Sequence, residues 1–146
     1  MQASTLYTSA AALVLVAVGA TWLLALTWEP QQVSPGSISY FLGIPSTVRA
    51  VPLFKTCREP RYGYVGAEGT KSSFSTVEYG SRLDRDDVIA AYRSWLEPGG
   101  CELREEAGTL FADGCDTPID LLHADFSAQS TADPGCVTVT ITAMGE

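Results

Sequence analysis

Hydrophobic positions run almost unbroken from Leu6 to Trp28, then give way to a polar stretch and, further on, to two distinct periodicities. The segment Ala10–Trp28 reads AAALVLVAVGATWLLALTW, relieved only by Gly19, Thr21 and Thr27. A spanning helix tolerates these residues because it satisfies its own backbone groups. Counted from Leu6, the run covers about 23 residues, or roughly 34 Å at helical rise, against a bilayer hydrocarbon core of about 30 Å. Residues 1–28 are therefore expected to form a transmembrane anchor. Tyr7 and Trp28 are its expected membrane-interface residues, since aromatics concentrate at that depth. A cleaved secretory signal would carry a basic flank and a shorter apolar stretch. Here no Lys or Arg precedes Arg49, and cleavage after Ala20 would leave TWLLALTW exposed.

Glu29–Gly36 (EPQQVSPG) is polar and holds two prolines and a glycine, the composition of a spacer. Ser37–Ile44 reads as a short helical turn, packed on the domain or lying on the lipid surface. Residues 29–45 are thus expected to be a linker and juxtamembrane segment, with a folded domain over 46–146. Ser46–Phe54 suggests a strand or extended segment, kept to an edge by Pro52. Lys55–Lys71, rich in Gly, Pro, Arg and Tyr, suggests a loop with at most a short strand at Tyr62–Val65.

Beyond residue 71 the patterns sharpen. Phe74, Thr76 and Glu78 alternate with Ser75, Val77 and Tyr79, which predicts a half-buried strand. Asp84 then stands three positions before Asp87, the signature of a capped helix start. Val88, Ile89, Tyr92, Trp95 and Leu96 follow at the spacing of one helical stripe, so a helix is predicted over 85–97, stopped by Pro98-Gly99-Gly100. Cys101–Glu106 and Thr109–Cys115 flank Ala107-Gly108, a tight-turn signal. Pro118–Ala128 and Val137–Met144 flank a longer loop at 130–135. In the last segment Val137, Val139, Ile141 and Ala143 face one way and three threonines the other. Strand, helix, then strands joined by hairpins imply an α+β domain: one main helix packed on an antiparallel sheet, behind a single N-terminal transmembrane helix.

Charge changes the picture in one respect. The nine Lys and Arg, the seventeen Asp and Glu and the net charge of −8 all lie after Trp28. An acidic module of this kind lacks the basic surface on which nucleic-acid affinity rests, so no nucleic-acid partner is expected. The basic residues that do occur gather early, as Arg49, Lys55, Arg58, Arg61 and Lys71. Frequent Ala and Gly with no Asn anywhere fit a GC-rich bacterial genome.

The cysteines assign a compartment. All four follow the anchor, at 57, 101, 115 and 136, and disulfides persist outside the cytosol. A hairpin centred near Gly108 would place Cys101 opposite Cys115, leaving Cys57 for Cys136. Sequence alone allows three connectivities. Closing the longer loop is worth about 4 kcal/mol in the chain-entropy account. No Cys-x-x-Cys occurs to suggest a redox centre.

Candidate chemistry is sparse. His123, the only histidine, falls within a strand and lacks an evident nucleophile partner. Asp84, Asp86 and Asp87 sit where helix capping explains them. Asp113, Asp116, Asp120 and Asp125 form a second acidic run without the ligand spacing of a calcium loop. Tyr92 and Trp95 belong to a core stripe, where Trp95→Ala would cost about 3–5 kcal/mol. No catalytic motif, metal set or cofactor site is evident. The expectation is a single-pass membrane-anchored accessory or interaction protein of the bacterial cell envelope, not an enzyme. It would contact the bilayer through residues 6–28 and a protein partner through a periplasmic or extracellular domain. The alternative is an anchored module binding a small ligand or envelope polymer.

Overall fold

The computed structural model describes residues 14–22, 31–67, 70–116, 123–130 and 135–144. In chain order these form α1 (14–22), α2 (Ile38–Gly43), α3 (Ser46–Arg49), β1 (Thr56–Val65), β2 (Phe74–Ser81), α4 (Arg85–Leu96) and a 3-10 turn at Glu97–Gly99, followed by β3 (Glu102–Glu106), β4 (Thr109–Asp113), β5 (His123–Ser130) and β6 (Val137–Met144). The strands make one antiparallel sheet in the order β1-β2-β6-β5-β4-β3. With α4 laid across it, this is a small α+β domain, as the alternation and the capped stripe imply.

Register decides the core. Val77 stands beside Ile141, Ile141 beside Phe126 and Phe126 beside Leu110. Side chains alternate between faces along a strand, so Val77, Tyr79, Val139, Ile141, Ala124, Phe126, Leu110 and Ala112 share one buried face. Onto it α4 presses Val88, Ile89, Tyr92 and Leu96, all buried. Trp95 is only partly buried at the margin of that core, so its truncation should cost less than a full core deletion. Asp84 caps α4 by accepting from the Asp87 N–H at 2.9 Å, and Asp86 and Asp87 occupy the first turn. At the other end Gly100, at φ 66°, turns the chain out of the helix in the left-handed conformation that glycine adopts without strain.

Two expectations for the N-terminal half are corrected. Ser46–Phe54 is not a strand: Ser46–Arg49 is a helical turn, and residues 50–55 are irregular. The irregular stretch is fastened instead by buried side chains. Tyr92 Oη donates to Pro52 O at 2.8 Å and lies 2.9 Å from Tyr79 Oη, which accepts from the Phe54 N–H at 3.2 Å. Ser81 Oγ donates to Phe54 O at 2.8 Å and accepts from the Leu83 N–H. Burial raises the pKa of both tyrosines, because the phenolate would be stranded from water. Lys55–Lys71, expected to be mostly loop, holds the ten-residue edge strand β1. Pro60 is accommodated because the strand is at the edge and its register shifts between Arg58 and Arg61.

The disulfides join Cys57 to Cys136 and Cys101 to Cys115. The second closes the base of the β3–β4 hairpin, where Glu102 pairs with Asp113. The turn itself puts Ala107 at φ 50° and Gly108 at φ 76°, the primed geometry that matches strand twist. Arg85 Nη2 reaches Ala107 O at 2.8 Å, tying the start of α4 to that turn. The first disulfide runs from β1 across β2 to the start of β6. It crosses β2 over Gly80, where a Cβ would lie 2.6 Å from Cys136 Sγ and 2.9 Å from Cys57 Sγ. A glycine is needed there for the crossing, not for backbone freedom. The two bridges mark an oxidising, extracytoplasmic environment.

Residues 31–45 are fastened to the domain. Val33 pairs with Tyr62 on the outer edge of β1 through bonds of 2.8 and 2.9 Å. The Gln31 side chain donates to Tyr64 O, and Ile44 is buried in the core. Of the expected anchor only α1 is described, with Tyr7 and Trp28 outside the described residues. Among the described residues no helix is long and apolar enough to cross a membrane.

Candidate functional site

The sheet face opposite α4 is polar, and no described helix packs on it. Cross-strand pairing arranges it in rows. One runs Phe74, Met144, His123, Asp113, Glu102; the next runs Thr76, Thr142, Asp125, Phe111, Arg104. These rows are possible because β2, β4, β5 and β6 each alternate a buried apolar residue with a polar or half-buried one. Phe74, Met144 and Phe111 are apolar exceptions; the first two are exposed, and Arg104 covers Phe111 with its guanidinium 5.1 Å from the ring centroid.

Two clusters stand out on this face. In the first, His123 pairs with Asp113 directly across the β4–β5 ladder, Nδ1 to carboxylate, while Nε2 faces Asp125 Oδ1 at 3.2 Å. The sequence placed these groups separately, as a lone histidine and part of an acidic run; the register brings them together. Their arrangement speaks for a cross-strand pin. A general base needs a ring nitrogen free to take a proton from substrate; here Nδ1 is bonded to Asp113, and Nε2 has the Asp125 carboxylate beside it without a hydrogen bond between them. Among the described residues no group of His, Cys, Asp or Glu is placed to hold a metal ion. Asp120 lies outside the described residues, and Asp116 donates its backbone N–H to Gly99 O.

The second cluster is a cleft of about 460 Å³ beside β1, lined by Gln32, Arg58, Glu59, Arg61 and Glu78. The docked spacer supplies Gln32, and β1 supplies both arginines. Arg58 Nη2 donates to Thr138 Oγ1 at 2.8 Å and stands 3.8 Å from Glu78, while Arg61 donates to Ser34 Oγ. Opposite charges are interleaved, so the cleft suits a polar ligand of mixed character better than a simple anion. Of the early basic residues, Arg58 and Arg61 meet here. Arg49 lies apart, stacked on Tyr40 and Phe41 at 5.6 and 5.9 Å. The cleft is not legible in the sequence, because residues 55–61 have the composition of a loop. The alternation Arg61, Gly63, Val65 against Tyr62, Tyr64 carries the signal of the strand.

No protein-family model matches the chain, and no curated protein or solved structure is significantly similar to it.

Proposed function

We propose that the protein is a single-pass membrane-anchored accessory or interaction module of the bacterial cell envelope, with the open sheet face turned to a protein partner. The observation that carries the reading is α1. Its side chains stand in the open, with Val14, Leu15, Val16, Val18 and Trp22 all between 56% and 73% exposed. They lie within an uncharged apolar run long enough to span a bilayer. An exposed apolar rod of this kind requires a covering phase, and the disulfide-stapled domain fits the oxidising side of a membrane. The reading assigns the domain no catalysis. Its support is that the sole histidine has both ring nitrogens set against carboxylates.

A second reading, favoured by the cleft at Arg58 and Arg61, is an anchored module that holds a small polar ligand or envelope polymer. One experiment separates the two. The full chain is extracted in mild detergent, and co-purifying proteins are identified for wild type, Phe111→Glu on the open face and Arg61→Glu in the cleft. The accessory reading expects a stoichiometric partner lost on Phe111→Glu and retained on Arg61→Glu. A chain that purifies alone under all conditions refutes it. Carbonate washing that frees the intact polypeptide, or a C-terminal reporter found inside the cell, refutes the anchor.

A further inference from the structure

Helix α2 presents apolar side chains on two sides. One side packs on the domain: Tyr40 meets Tyr62 at 4.9 Å, and Ile44, just past the helix, is buried. The other carries Ile38, Phe41 and Leu42 at the i, i+3, i+4 spacing of a single helical stripe. These are 62%, 57% and 64% exposed. Three large apolar residues left together in solvent on so short a helix mark a contact surface. Beside them the Arg49 guanidinium lies over the Phe41 and Tyr40 rings, and among the described residues no carboxylate pairs with it. The surface is therefore apolar with a cation at its rim.

The chain itself limits what can cover this surface. Resting on the anchored reading, the span ends at Trp28, and Val33 is already bonded to the edge of β1. Five residues reach at most about 18 Å when fully extended. The β1 edge and α2 must then lie close to the bilayer, whatever the rest of the domain contacts. We infer that α2 lies in the membrane interface, burying Ile38, Phe41 and Leu42 among the acyl-chain boundary, with Arg49 directed to lipid phosphates. This is the physics of interfacial amphipathic segments, whose apolar side enters the headgroup boundary while cations meet anionic lipid. The consequence is orientation: with a second membrane contact, the sheet stands with β1 toward the lipid and β3 away from it.

The test uses the full chain in vesicles of phosphatidylcholine and phosphatidylglycerol, with and without brominated lipid as a shallow quencher. Phe41→Trp and, independently, Leu42→Trp report on α2, and Phe111→Trp reports on the open face; correct folding is checked by retention of both disulfides. The added emission at positions 41 and 42 should fall about twofold with brominated lipid, as for an interfacial aromatic, and the emission at 111 should not. Unquenched reporters at 41 and 42 in protein that resists carbonate extraction overturn the α2 contact and leave the anchor standing. Reporters quenched before a carbonate wash that then frees the protein uphold the α2 contact and overturn the anchor. Unquenched reporters together with carbonate release overturn both. Cross-linking between α2 segments of two copies, without quenching, gives the surface to a second chain and overturns the lipid assignment.

Discussion

Replacing Tyr92 by Phe removes one oxygen from the centre of the domain and leaves the ring, which packs 4.9 Å from Phe54 and 4.7 Å from Phe126, in place. The lost atom has two partners: it donates to Pro52 O, and it lies 2.9 Å from the Tyr79 hydroxyl. Tyr92 gives its single proton to Pro52 O, so Tyr79 must donate to Tyr92, and with the Phe54 N–H on Tyr79 the donors run Phe54 to Tyr79 to Tyr92 to Pro52. Without Tyr92 Oη, the Tyr79 hydroxyl loses its acceptor and the Pro52 carbonyl loses its donor. A buried polar group deprived of its partner costs about 1–3 kcal/mol, so Tyr92→Phe should cost about 2–4 kcal/mol after partial relaxation. In a domain of roughly 100 residues that lowers Tm by about 10–20 °C. Denaturant unfolding followed by Trp95 emission, with the full chain in detergent, measures it. Tyr79→Phe should also destabilise, by orphaning the Phe54 N–H. The double variant removes the stranded Tyr79 hydroxyl, so it should cost less than the sum of the singles by about 1 kcal/mol. A Tyr92→Phe loss under about 0.5 kcal/mol, or strict additivity, would refute the view that these hydroxyls fasten residues 50–55.

Gly80→Ala drives a methyl into the Cys57–Cys136 bridge and should destabilise by about 1–3 kcal/mol; in a Cys57→Ala/Cys136→Ala background the penalty should shrink, as thermal melts of the four proteins would show. Removing the two bridges separately should cost unequally, about 4.5 kcal/mol for the 79-residue separation and about 3 kcal/mol for the 14-residue one, by equilibrium unfolding. Burial, reinforced by Tyr40, pushes the Tyr62 hydroxyl from 10.0 up to about 12. Its unfolded form ionises first, so stability is whole below pH 10 and falls as pH rises through about 12, by as much as about 2–3 kcal/mol; a tyrosinate absorbance titration showing every tyrosine ionising near pH 10 would contradict this. Leu96→Ala, at a fully buried site, should cost about 2–5 kcal/mol, and Trp95→Ala, at a half-buried one, should cost less per atom removed.

The elements legible in the sequence are those whose signals are local. The α4 stripe and its Asp84 cap, and the Val137–Met144 alternation, announce themselves within a dozen residues, and the structure places them at the expected bounds. The hairpin around Ala107-Gly108 was likewise carried by its turn dipeptide and by the spacing of Cys101 and Cys115. What failed was non-local. β1 contains Pro60, Gly63 and three charged residues within Thr56–Val65, and it is a strand because β2 offers it a ladder and Cys57 is tied to β6. Ser46–Phe54 has strand-like composition, yet the backbone groups of Pro52 and Phe54 are claimed by Tyr79, Ser81 and Tyr92, residues far along the chain. The candidate site was half visible. His123 was placed in a strand, but its pairing with Asp113 depends on the β4–β5 register, which no sequence periodicity fixes. The cleft at Arg58 and Arg61 was lost together with the strand that builds it.

The bridge over Gly80 would have a mechanical meaning if, as proposed, the domain is held by its N-terminal end. Tension arriving through the tether would enter at the outermost strand, the one easiest to unzip a hydrogen bond at a time. Because Cys57 is bonded to Cys136, that pull passes directly to β6, which is flanked on both sides by long ladders. Peeling of β1 is short-circuited, and the load is carried in shear by the interior of the sheet.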